Sequence, residues 1–419
     1  FPSGSLAWRL SEESFLKDNI SWLSNLKLRG SYGSTGDDNH WNGDEIAAFQ
    51  WRDYYQNGSG YIFGDNLSNG LAIGATPNPY MTWARLEVWD VGFDFGVLDN
   101  RLTGEFDYFY KNKNHILGSR IASVPGTFGA SLAPENYAEQ QWKGTEVSLR
   151  WSDNVGDLSY SVYANMGYVR DEWVKWDEAE GLEEWRSVIG RPNNRVSGYI
   201  CKGIIRTQEE LDALPEGFTQ FGREPILGTL LYEDIRGANY SEGPDGKIDS
   251  NDITYLSDNG APRINYGWGF NLEWKGLAID AHFQGVGAYD RMISTKNGGG
   301  VFQLNEKPYF ELWTQDVWTP ENPDAEYPRV SGLWQEEYGA AGSTYWLRNG
   351  AYMRLKNLNI AYTLPREWLS FLGINRVQVF VNGTNLFSID GMKEHDPEQK
   401  TLDSYPLMRT FTGGLSINF

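Results

Sequence analysis

The sequence predicts an all-β fold: a transmembrane antiparallel up-and-down β-barrel with long loops at one end. Long segments alternate apolar and polar side chains, and several reach the roughly ten residues that a tilted strand needs to cross a bilayer. Short turns and long connections alternate along the chain, which is typical of outer-membrane barrels and not of a Greek-key sandwich. Aromatic side chains make up 15% of the 419 residues, with 18 Trp and 24 Tyr, as expected of amphipathic belts at the two membrane surfaces.

About eleven strands are predicted from this alternation. In the segment 266–274, for example, Tyr266 and Trp268 lie opposite Gly267, because successive side chains of a strand point to opposite faces. A change of phase near Val88–Trp89 predicts a β-bulge there. The predicted strands lie at 3–10, 25–32, 83–98, 102–111, 143–151, 158–168, 266–274, 277–284, 357–364, 377–381 and 411–419.

The direction of the strands indicates that the chain is one part of a larger barrel. If the long connections, such as 33–80 and 171–261, lie outside the cell, the first and last predicted strands both run toward the periplasm. An odd number of strands with both ends on one side cannot close an even-numbered barrel alone. The chain, which begins at Phe1 without Met or a signal peptide, is therefore predicted to be a mature product or a fragment from the C-terminal part of a barrel, and the apolar Phe419 suits a barrel end.

Charge and composition exclude several classes of protein. The formal net charge of −20, from 56 acidic and 36 basic residues, argues against a nucleic-acid partner, because few basic groups are left to neutralise phosphates. No apolar run approaches the ~20 residues of a transmembrane helix. The single cysteine, Cys201, excludes an internal disulfide framework.

One loop carries a calcium-type pattern. In the segment Asp245–Asp252, an Asp precedes the Gly of a sharp turn and further oxygen ligands follow, as in the second half of an EF-hand loop. Residues without carboxylates occupy the first half, but Asp234 supplies one if 236–244 is an insertion. We therefore expect a structural Ca²⁺ or a similar ion, and the alternative is a solvated acidic turn. The predicted metal ligands are Asp234, Asp245, Asp249 and Asp252.

The sequence shows no catalytic constellation, and we expect the chain not to be an enzyme. None of the four histidines, His40, His115, His282 and His395, has a second histidine three or four residues away, as a zinc motif requires. A Gly-x-Ser-x-Gly nucleophile elbow is also missing. The paired carboxylates Glu183–Glu184 and Glu336–Glu337 are of the type that glycosidases use, but they lie in acid-rich loops. His282 is predicted to lie on a polar, lumen-facing strand surface.

Tryptophans in the long loops are candidates for ligand contact. Exposed indole rings stack on sugar faces and on peptide side chains, and the alternative is that they pack the loops or a partner protein. In the same loops Thr207–Leu214 is predicted to form a short helix, with Thr207 as N-cap and Glu210 completing a capping box. The loop tryptophans are Trp173, Trp176, Trp185, Trp313, Trp318, Trp334 and Trp346.

Several segments, taken together, resemble the SusC/RagA-like TonB-dependent outer-membrane transporters. The most specific is YWLRNGAYMRLKN at Tyr345–Asn357, which continues into AYTLP at Ala361–Pro365. The matching segments follow the order seen in that family and span nearly the entire chain. The others are Phe1–Leu10, Leu26–Gly33, Gly260–Arg263, Asn382–Phe387 and Asp396–Glu398.

The resemblance implies the C-terminal ~11 strands of a barrel of about 22 strands. Residues 1–419 would then be the C-terminal portion of a TonB-dependent transporter β-barrel, with the plug domain and the N-terminal strands absent from this chain. Such transporters lie in the outer membrane of Gram-negative, Bacteroidetes-like bacteria. They work with a SusD-like surface lipoprotein as a lid, and TonB pulls on the plug. The calcium-type loop is also common in the family, usually without the insertion.

The leading hypothesis is TonB-dependent active import of oligosaccharides or peptides through the barrel of a SusCD-like complex, surrounded by outer-membrane lipid. The alternative from another class is a secreted carbohydrate-binding or glycan-degrading β protein, and a third interpretation is a passive porin. The choice between glycan and peptide cargo stays open at this stage. So do the loop residues that would contact the cargo.

Overall fold

The computed structural model describes residues 1–39, 43, 49, 51–120, 122, 126–128, 132–293, 315–329, 342–369, 373–401 and 404–418. Five of the features named above lie outside these residues. They are His40, Trp313, Trp334, the pair Glu336–Glu337, and Phe419.

Eleven strands form one antiparallel sheet in the described part of the chain, and strands that are consecutive along the chain are neighbours in the sheet. The predicted number of strands is confirmed, and most of them are longer than the alternating segments alone indicated. Their bounds are β1 Ser3–Arg9, β2 Leu23–Asp37, β3 Ala84–Val97, β4 Leu102–Gly118, β5 Glu135–Val155, β6 Leu158–Lys175, β7 Ile264–Trp274, β8 Leu277–Gly287, β9 Tyr352–Thr363, β10 Arg376–Asp390 and β11 Thr410–Asn418.

Short elements occupy the connections. The helices are α1 Ser14–Lys17 and α2 Gln208–Asp212, and α2 has the predicted capping box between Thr207 and Glu210. No helix among the described residues is long and apolar enough to span a membrane. Short strands lie at Tyr55–Phe63, Asn66–Ile73, Val196–Gly198, Cys201–Ile204, Thr219–Gln220, Leu230–Tyr232, Lys247–Ile248, Thr254–Ser257, Asp290–Met292 and Leu347–Asn349, and 3-10 turns at Leu10–Glu12, Gly126–Phe128, Ala238–Tyr240, Ser250–Asp252 and Arg366–Trp368.

The chain divides into two compact units, the first made of Phe1–Val147 and Tyr168–Asn193, the second of Ser148–Gly167 and Asn194–Phe419. In the first unit, one sheet face is apolar and exposed. Phe93 lies opposite Leu28 of β2 and Phe106 of β4, and directly paired residues of antiparallel strands share a face. Trp89 and Val91, on the same face, are 56% and 57% exposed. A continuous apolar face of this kind is suited to lipid.

The β-bulge predicted near Val88–Trp89 is wrong. The pairing of β3 with both neighbours runs without interruption through these residues, and Val88 lies opposite Lys111. The sequence phase changes because β3 extends beyond the apolar zone. Toward its start, Glu87 takes a position on the otherwise apolar face, while Ala84 on the other face is buried against Ile116. Near the start of β3 the apolar side chains thus move to the other face of the sheet, although the pairing with both neighbouring strands continues unchanged.

Phe109 is an aromatic exception on the charged face of β4, and a glycine accommodates it. A Cβ atom at Gly144 of β5 would lie 2.3 Å from the Phe109 ring, so a larger residue would displace the ring. Phe109 is buried in the structure. The ring covers the bare backbone of the glycine, a recognised way of stabilising glycine in a sheet.

A separate hairpin lies inside the connection between β2 and β3. Its strands, Tyr55–Phe63 and Asn66–Ile73, pair only with each other among the described strands. Glycines at positions such as Gly60 and Gly70 interrupt the alternation of side chains, so the sequence pattern of this hairpin is typical of a loop. Its apolar side chains are strongly exposed: Tyr55, Tyr61, Ile62, Phe63, Leu67, Leu71 and Ile73.

In the second unit, β7 and β8 form a tight hairpin. The turn consists of Lys275 and Gly276, with φ of 45° and 88°. Two-residue hairpin turns need positive φ at both positions, which glycine adopts without steric cost. On the apolar face Trp268 stacks on Phe283, with 4.0 Å between ring centroids and 3° between ring planes.

The long loops of the second unit enclose an apolar core of their own, here called the loop core. Gln220 is fully buried within it, where its amide donates to the Leu230 carbonyl oxygen (3.0 Å) and accepts from the Tyr232 N–H (2.8 Å). These two bonds satisfy backbone groups that would otherwise be buried without partners. The loop core consists of Ile204, Phe218, Leu230, Tyr232, Ile248, Ile293, Trp318, Ala325, Tyr327 and Trp346.

Candidate functional site: the charged sheet face and its loop clamp

The face of the first unit opposite the apolar one carries paired charges. The Arg29 guanidinium of β2 lies 2.8 Å from an Asp94 carboxylate oxygen and 2.6 Å from Asp107. Lys27 Nζ lies 3.3 Å from Asp94. Two cations and two anions from three neighbouring strands therefore neutralise each other and hold each other in place. This face offers polar groups without net charge at this point, as a wall in contact with water and polar solutes requires.

The corresponding face of the second unit carries aromatic and polar side chains. Tyr163 of β6 has its hydroxyl 3.1 Å from Nδ1 of His282 on β8, and the two rings stack at 16°. The Arg150 guanidinium lies 5.4 Å from the Tyr163 ring centroid. A Cβ atom at Gly269 would lie 2.5 Å from the Tyr163 hydroxyl, so the glycine leaves room for the tyrosine. The prediction that His282 lies on the polar strand face is confirmed.

A β-bulge in β9 decides which residues reach this polar face. Lys356 is passed over in the pairing with β8, and the next pair is Leu355 with Phe283. An extra residue reverses the alternation of side chains beyond it. Arg354 therefore points to the polar face. In a strand without the bulge, Arg354 would lie an even number of residues from Ile360 and would share its apolar face. The sequence pattern did not predict this bulge.

Arg354 binds the loop that follows β10. Its Nη2 lies 2.6 Å from both carboxylate oxygens of Asp396, and its Nε lies 2.9 Å from Glu398. The bulge residue Lys356 reaches Glu398 at 2.6 Å. The Arg354 side chain is only 4% exposed, and the two carboxylates are 22% and 18% exposed. Charge pairs this well shielded from water interact more strongly than surface pairs. We call the contacts that Arg354, Lys356, Arg291 and Arg348 make with segment 394–399 the loop clamp.

Two further arginines complete the loop clamp. Arg291 donates to the Pro397 carbonyl oxygen at 2.7 Å and also to that of Gln399. Arg348 lies 2.7 Å from Glu394, whose side chain is fully buried. Burial, and then the positive charge of Arg291, lower the pKa of His395, so this imidazole is neutral at neutral pH. Segment 394–399 is thus held by four cations, two from β9 and one each from the short strands Asp290–Met292 and Leu347–Asn349.

Sequence reasoning found the loop clamp only in part. The family resemblance includes Asp396–Glu398 but implies no role for this segment. The sequence nevertheless carries a signal, because the cations Arg354 and Lys356 interrupt an apolar strand and their acidic partners follow 42 residues later.

The four predicted ion ligands lie in one loop of the second unit. The Asp234 carboxylate accepts the backbone N–H groups of residues 245 and 246, at 3.2 and 2.7 Å. Asp249 is the N-cap of the 3-10 turn Ser250–Asp252, and Asp252 closes a capping box by accepting the Asp249 N–H at 2.9 Å. The backbones of Arg236 and Glu242 form an isolated antiparallel β-bridge, which closes the inserted segment between Asp234 and the rest of the pattern.

The carboxylate oxygens of this loop are used by backbone donors. Asp252 is fully buried and also accepts the N–H groups of Ile235 and Arg236, at 2.9 and 3.1 Å. Burial raises the pKa of Asp252. Within the described ranges, no three His, Cys, Asp or Glu side chains are grouped as metal ligands would be. Calcium binding stays a prediction, and it would require some of these carboxylates to exchange N–H donors for the cation.

Other candidates from the sequence have structural roles. Trp173, Trp318 and Trp346 are 3%, 5% and 1% exposed, so the packing interpretation is confirmed for these three and they present no ring to a ligand. Glu183 forms an i,i+3 ion pair with Arg186 at 3.0 Å.

Comparison with known proteins assigns the fold. Residues 1–203 match a family model described as TonB dependent receptor-like, beta-barrel. The first 203 residues are thus similar to a TonB-dependent receptor β-barrel. The predicted fold class, an all-β antiparallel barrel present here in part, is confirmed, and the match includes the first six strands of the sheet.

Curated TonB-dependent receptors align with the entire barrel chain. The receptor P3 of Formosa agariphila is 28% identical, and P26 of the same organism is 26% identical. TonB-dependent receptor SusC of Bacteroides thetaiotaomicron is 26% identical. In each case the alignment covers 100% of this chain, but only 42%, 42% and 40% of the relative. The chain thus spans about two-fifths of the length of these receptors.

Solved structures agree with this fold. The RagAB peptide importer in the open-open state is similar with a TM-score of 0.72 at 22% identity, over 100% of this chain and 42% of that one. A second RagAB structure, of the peptide transporter, gives a TM-score of 0.69. At this level of identity the likeness shows the barrel fold alone.

Proposed function

We propose that the chain is the C-terminal portion of the barrel of an outer-membrane transporter that imports oligosaccharides or peptides in a TonB-dependent manner. The rest of the barrel and a plug domain would belong to the part of the relatives that this chain does not span. A SusD-like surface lipoprotein would act as the lid, and TonB would act through the plug. The proposed location is the outer membrane of a Gram-negative bacterium.

The observation that supports this proposal is the contrast between the two faces of the sheet. One face exposes apolar side chains in both units, for example Val91 at 57% and Val381 at 55%. The other carries paired charges such as Arg29 with Asp107, and polar pairs such as Tyr163 with His282. Strands with an apolar outer face and a polar inner face are what a water-filled barrel in lipid requires.

The same contrast disfavours the alternative of a secreted carbohydrate-binding or glycan-degrading protein. A soluble β protein rarely exposes a contiguous apolar surface of more than a few hundred Å². Fractionation of the native bacterium separates the two interpretations. The proposal expects the protein in the outer-membrane fraction, released only by detergent. Recovery from the culture medium without detergent would overturn it.

Energy coupling separates active import from a passive porin. Cells expressing the intact protein are given fluorescent oligosaccharides in one series and fluorescent peptides of similar mass in another. The proposal expects uptake of one class that stops when the proton gradient is collapsed by an uncoupler. Uptake that continues unchanged after uncoupling would indicate a porin. Uptake of neither class would refute the proposed cargo.

A further inference from the structure

A pocket without an assigned role opens on the apolar face of the first unit. Its volume is about 340 Å³, and it lies across β4, β5 and β6. Tyr108 and Tyr168 form its two walls and are 43% and 37% exposed. Thr145 of the middle strand forms the floor, where its small side chain gives the pocket depth. Tyr108 lies opposite Val91, which places the pocket on the face that would meet lipid.

The pocket is amphipathic, with its charges at one end. β5 runs from the loop end of the sheet toward a tight turn, so Lys143 lies on the loop side of Thr145. β6 runs in the opposite direction, so Arg170 lies on the loop side of Tyr168. Lys143 is 3.6 Å from Glu172, which also lines this end of the pocket and offsets one of its two positive charges. Arg170 is exposed and has neither an ion pair nor a hydrogen bond with any residue that the structure describes.

The height of these cations matches a membrane surface. Arg170 is 12 residues beyond Leu158, the start of β6 (170 − 158). At about 3.3 Å per residue and a strand tilt of about 40°, it lies roughly 30 Å above the turn. The apolar band of an outer-membrane barrel is about 25 Å tall. By the same measure Tyr168, ten residues beyond Leu158, lies near the upper edge of the band, and Arg170 and Lys143, each 12 residues from its end of the turn, lie just above it, at the level of lipid headgroups.

We propose that this pocket binds a phosphate-bearing lipid of the outer leaflet. The apolar chains would lie between Tyr108 and Tyr168 over Thr145, and the phosphate would contact Arg170 and Lys143. The inference rests on the membrane location proposed above, but not on transport. A cation without a partner on a lipid-facing surface is unfavourable, and a phosphate supplies the missing countercharge. The chain as a whole carries a formal net charge of −20 and repels anions, so binding of a phosphate depends on a local site of this kind.

The test uses the intact protein in lipid nanodiscs, with bound lipid counted by native mass spectrometry. Phosphatidylglycerol is titrated against a background of zwitterionic phosphatidylcholine. Each cation near a membrane surface contributes about fivefold in affinity for anionic lipid. Loss of the unpaired Arg170 alone should therefore weaken binding about fivefold, and the double variant K143Q/R170Q should bind phosphatidylglycerol about 5- to 25-fold more weakly, because Glu172 already offsets part of the Lys143 charge. The control K202Q removes one charge from an exposed position of the short strand Cys201–Ile204 and should bind as wild type does.

A second variant tests the apolar half without changing charge. Thr145→Trp fills the space between the two tyrosines and should displace the bound lipid while both cations remain. Two results would overturn the inference: equal affinity in K143Q/R170Q and K202Q, or wild-type lipid occupancy in Thr145→Trp. Inorganic phosphate in detergent solution serves as a further arm. If phosphate alone competes at millimolar concentration as effectively as the lipid, the site is an anion site and the lipid assignment fails.

The membrane location is tested separately in the same samples. A protein that does not integrate into nanodiscs would refute the proposed location. A protein that integrates but shows no dependence on Arg170 and Lys143 would refute only the lipid site. Uptake of the fluorescent cargo by K143Q/R170Q should equal that of wild type, because neither side chain lies on the polar face.

Discussion

Replacing Arg354 by Gln tests the loop clamp most directly. The substitution removes the cation that contacts Asp396 at 2.6 Å and Glu398 at 2.9 Å, and it leaves both carboxylates in a shielded position. Removal of one member of a buried ion pair costs about 3–5 kcal/mol. Because the two carboxylates retain 22% and 18% exposure, we expect a value near the lower end, about 3 kcal/mol.

This cost should appear as local opening of segment 394–399. A loss of about 3 kcal/mol corresponds to a roughly hundredfold increase in the open population. The N–H groups of Glu398 and Gln399 report on it, because both donate to Asp396. Amide hydrogen exchange of the intact protein, followed by mass spectrometry, should show exchange about a hundredfold faster at these positions in R354Q than in wild type.

The control is Arg376→Gln, which removes the same charge from an exposed position at the start of β10. It should leave exchange in segment 394–399 unchanged. The combined variant Arg354→Gln with Asp396→Asn should recover part of the protection, since it removes the carboxylate that loses its cation, whereas Glu398 keeps Lys356. Equal exchange rates in R354Q and R376Q would refute the argument that these ion pairs hold the loop.

Three further predictions concern the loops. Trp346→Ala empties a fully buried position of the loop core and should lower the free energy of unfolding by about 3–5 kcal/mol. The unfolding temperature should therefore fall markedly in Trp346→Ala but not in Trp22→Ala, whose site is 58% exposed. Burial raises the pKa of the Cys201 thiol to about 11, so alkylation by iodoacetamide should accelerate about tenfold per pH unit between pH 8 and 10, because only the thiolate reacts; a plateau near pH 8.5 would contradict this. If the acidic loop binds Ca²⁺, millimolar Ca²⁺ should raise the unfolding temperature of wild type but not of Asp249→Asn, and an unchanged wild-type transition would dismiss the calcium prediction.

Local patterns in the sequence were enough to predict the strands and several turns. Alternation identified eight of the eleven sheet strands, because each has an apolar face that continues over several residues, and the strands at 3–10, 25–32 and 83–98 were expected as further, less regular ones. The two-residue turn at Lys275–Gly276 and the capping box of Thr207 with Glu210 were also predictable, since each depends on residues no more than three positions apart.

Features that depend on distant residues were not predictable in this way. The loop clamp joins Arg354 to Asp396, which is 42 residues further along the chain, and no local pattern records that pairing. The loop core is built from segments separated by more than a hundred residues, such as Ile204 and Trp346. The bulge prediction was wrong for a related reason: a change of phase near Val88 reflects a change of environment along a regular strand, whereas the real bulge at Lys356 is set by pairing with other strands.

The bulge at Lys356 also bears on how this chain should be aligned with its relatives. Deleting or inserting one residue there leaves the flanking segments matched, yet it exchanges the side chains of the apolar face and the polar face over half a strand. An alignment gap misplaced by one position would assign Arg354 to the apolar face. Chimeras that transplant the loop after β10 from another receptor should therefore carry over residues 354–356 together with the loop, so that the incoming acids meet their cations.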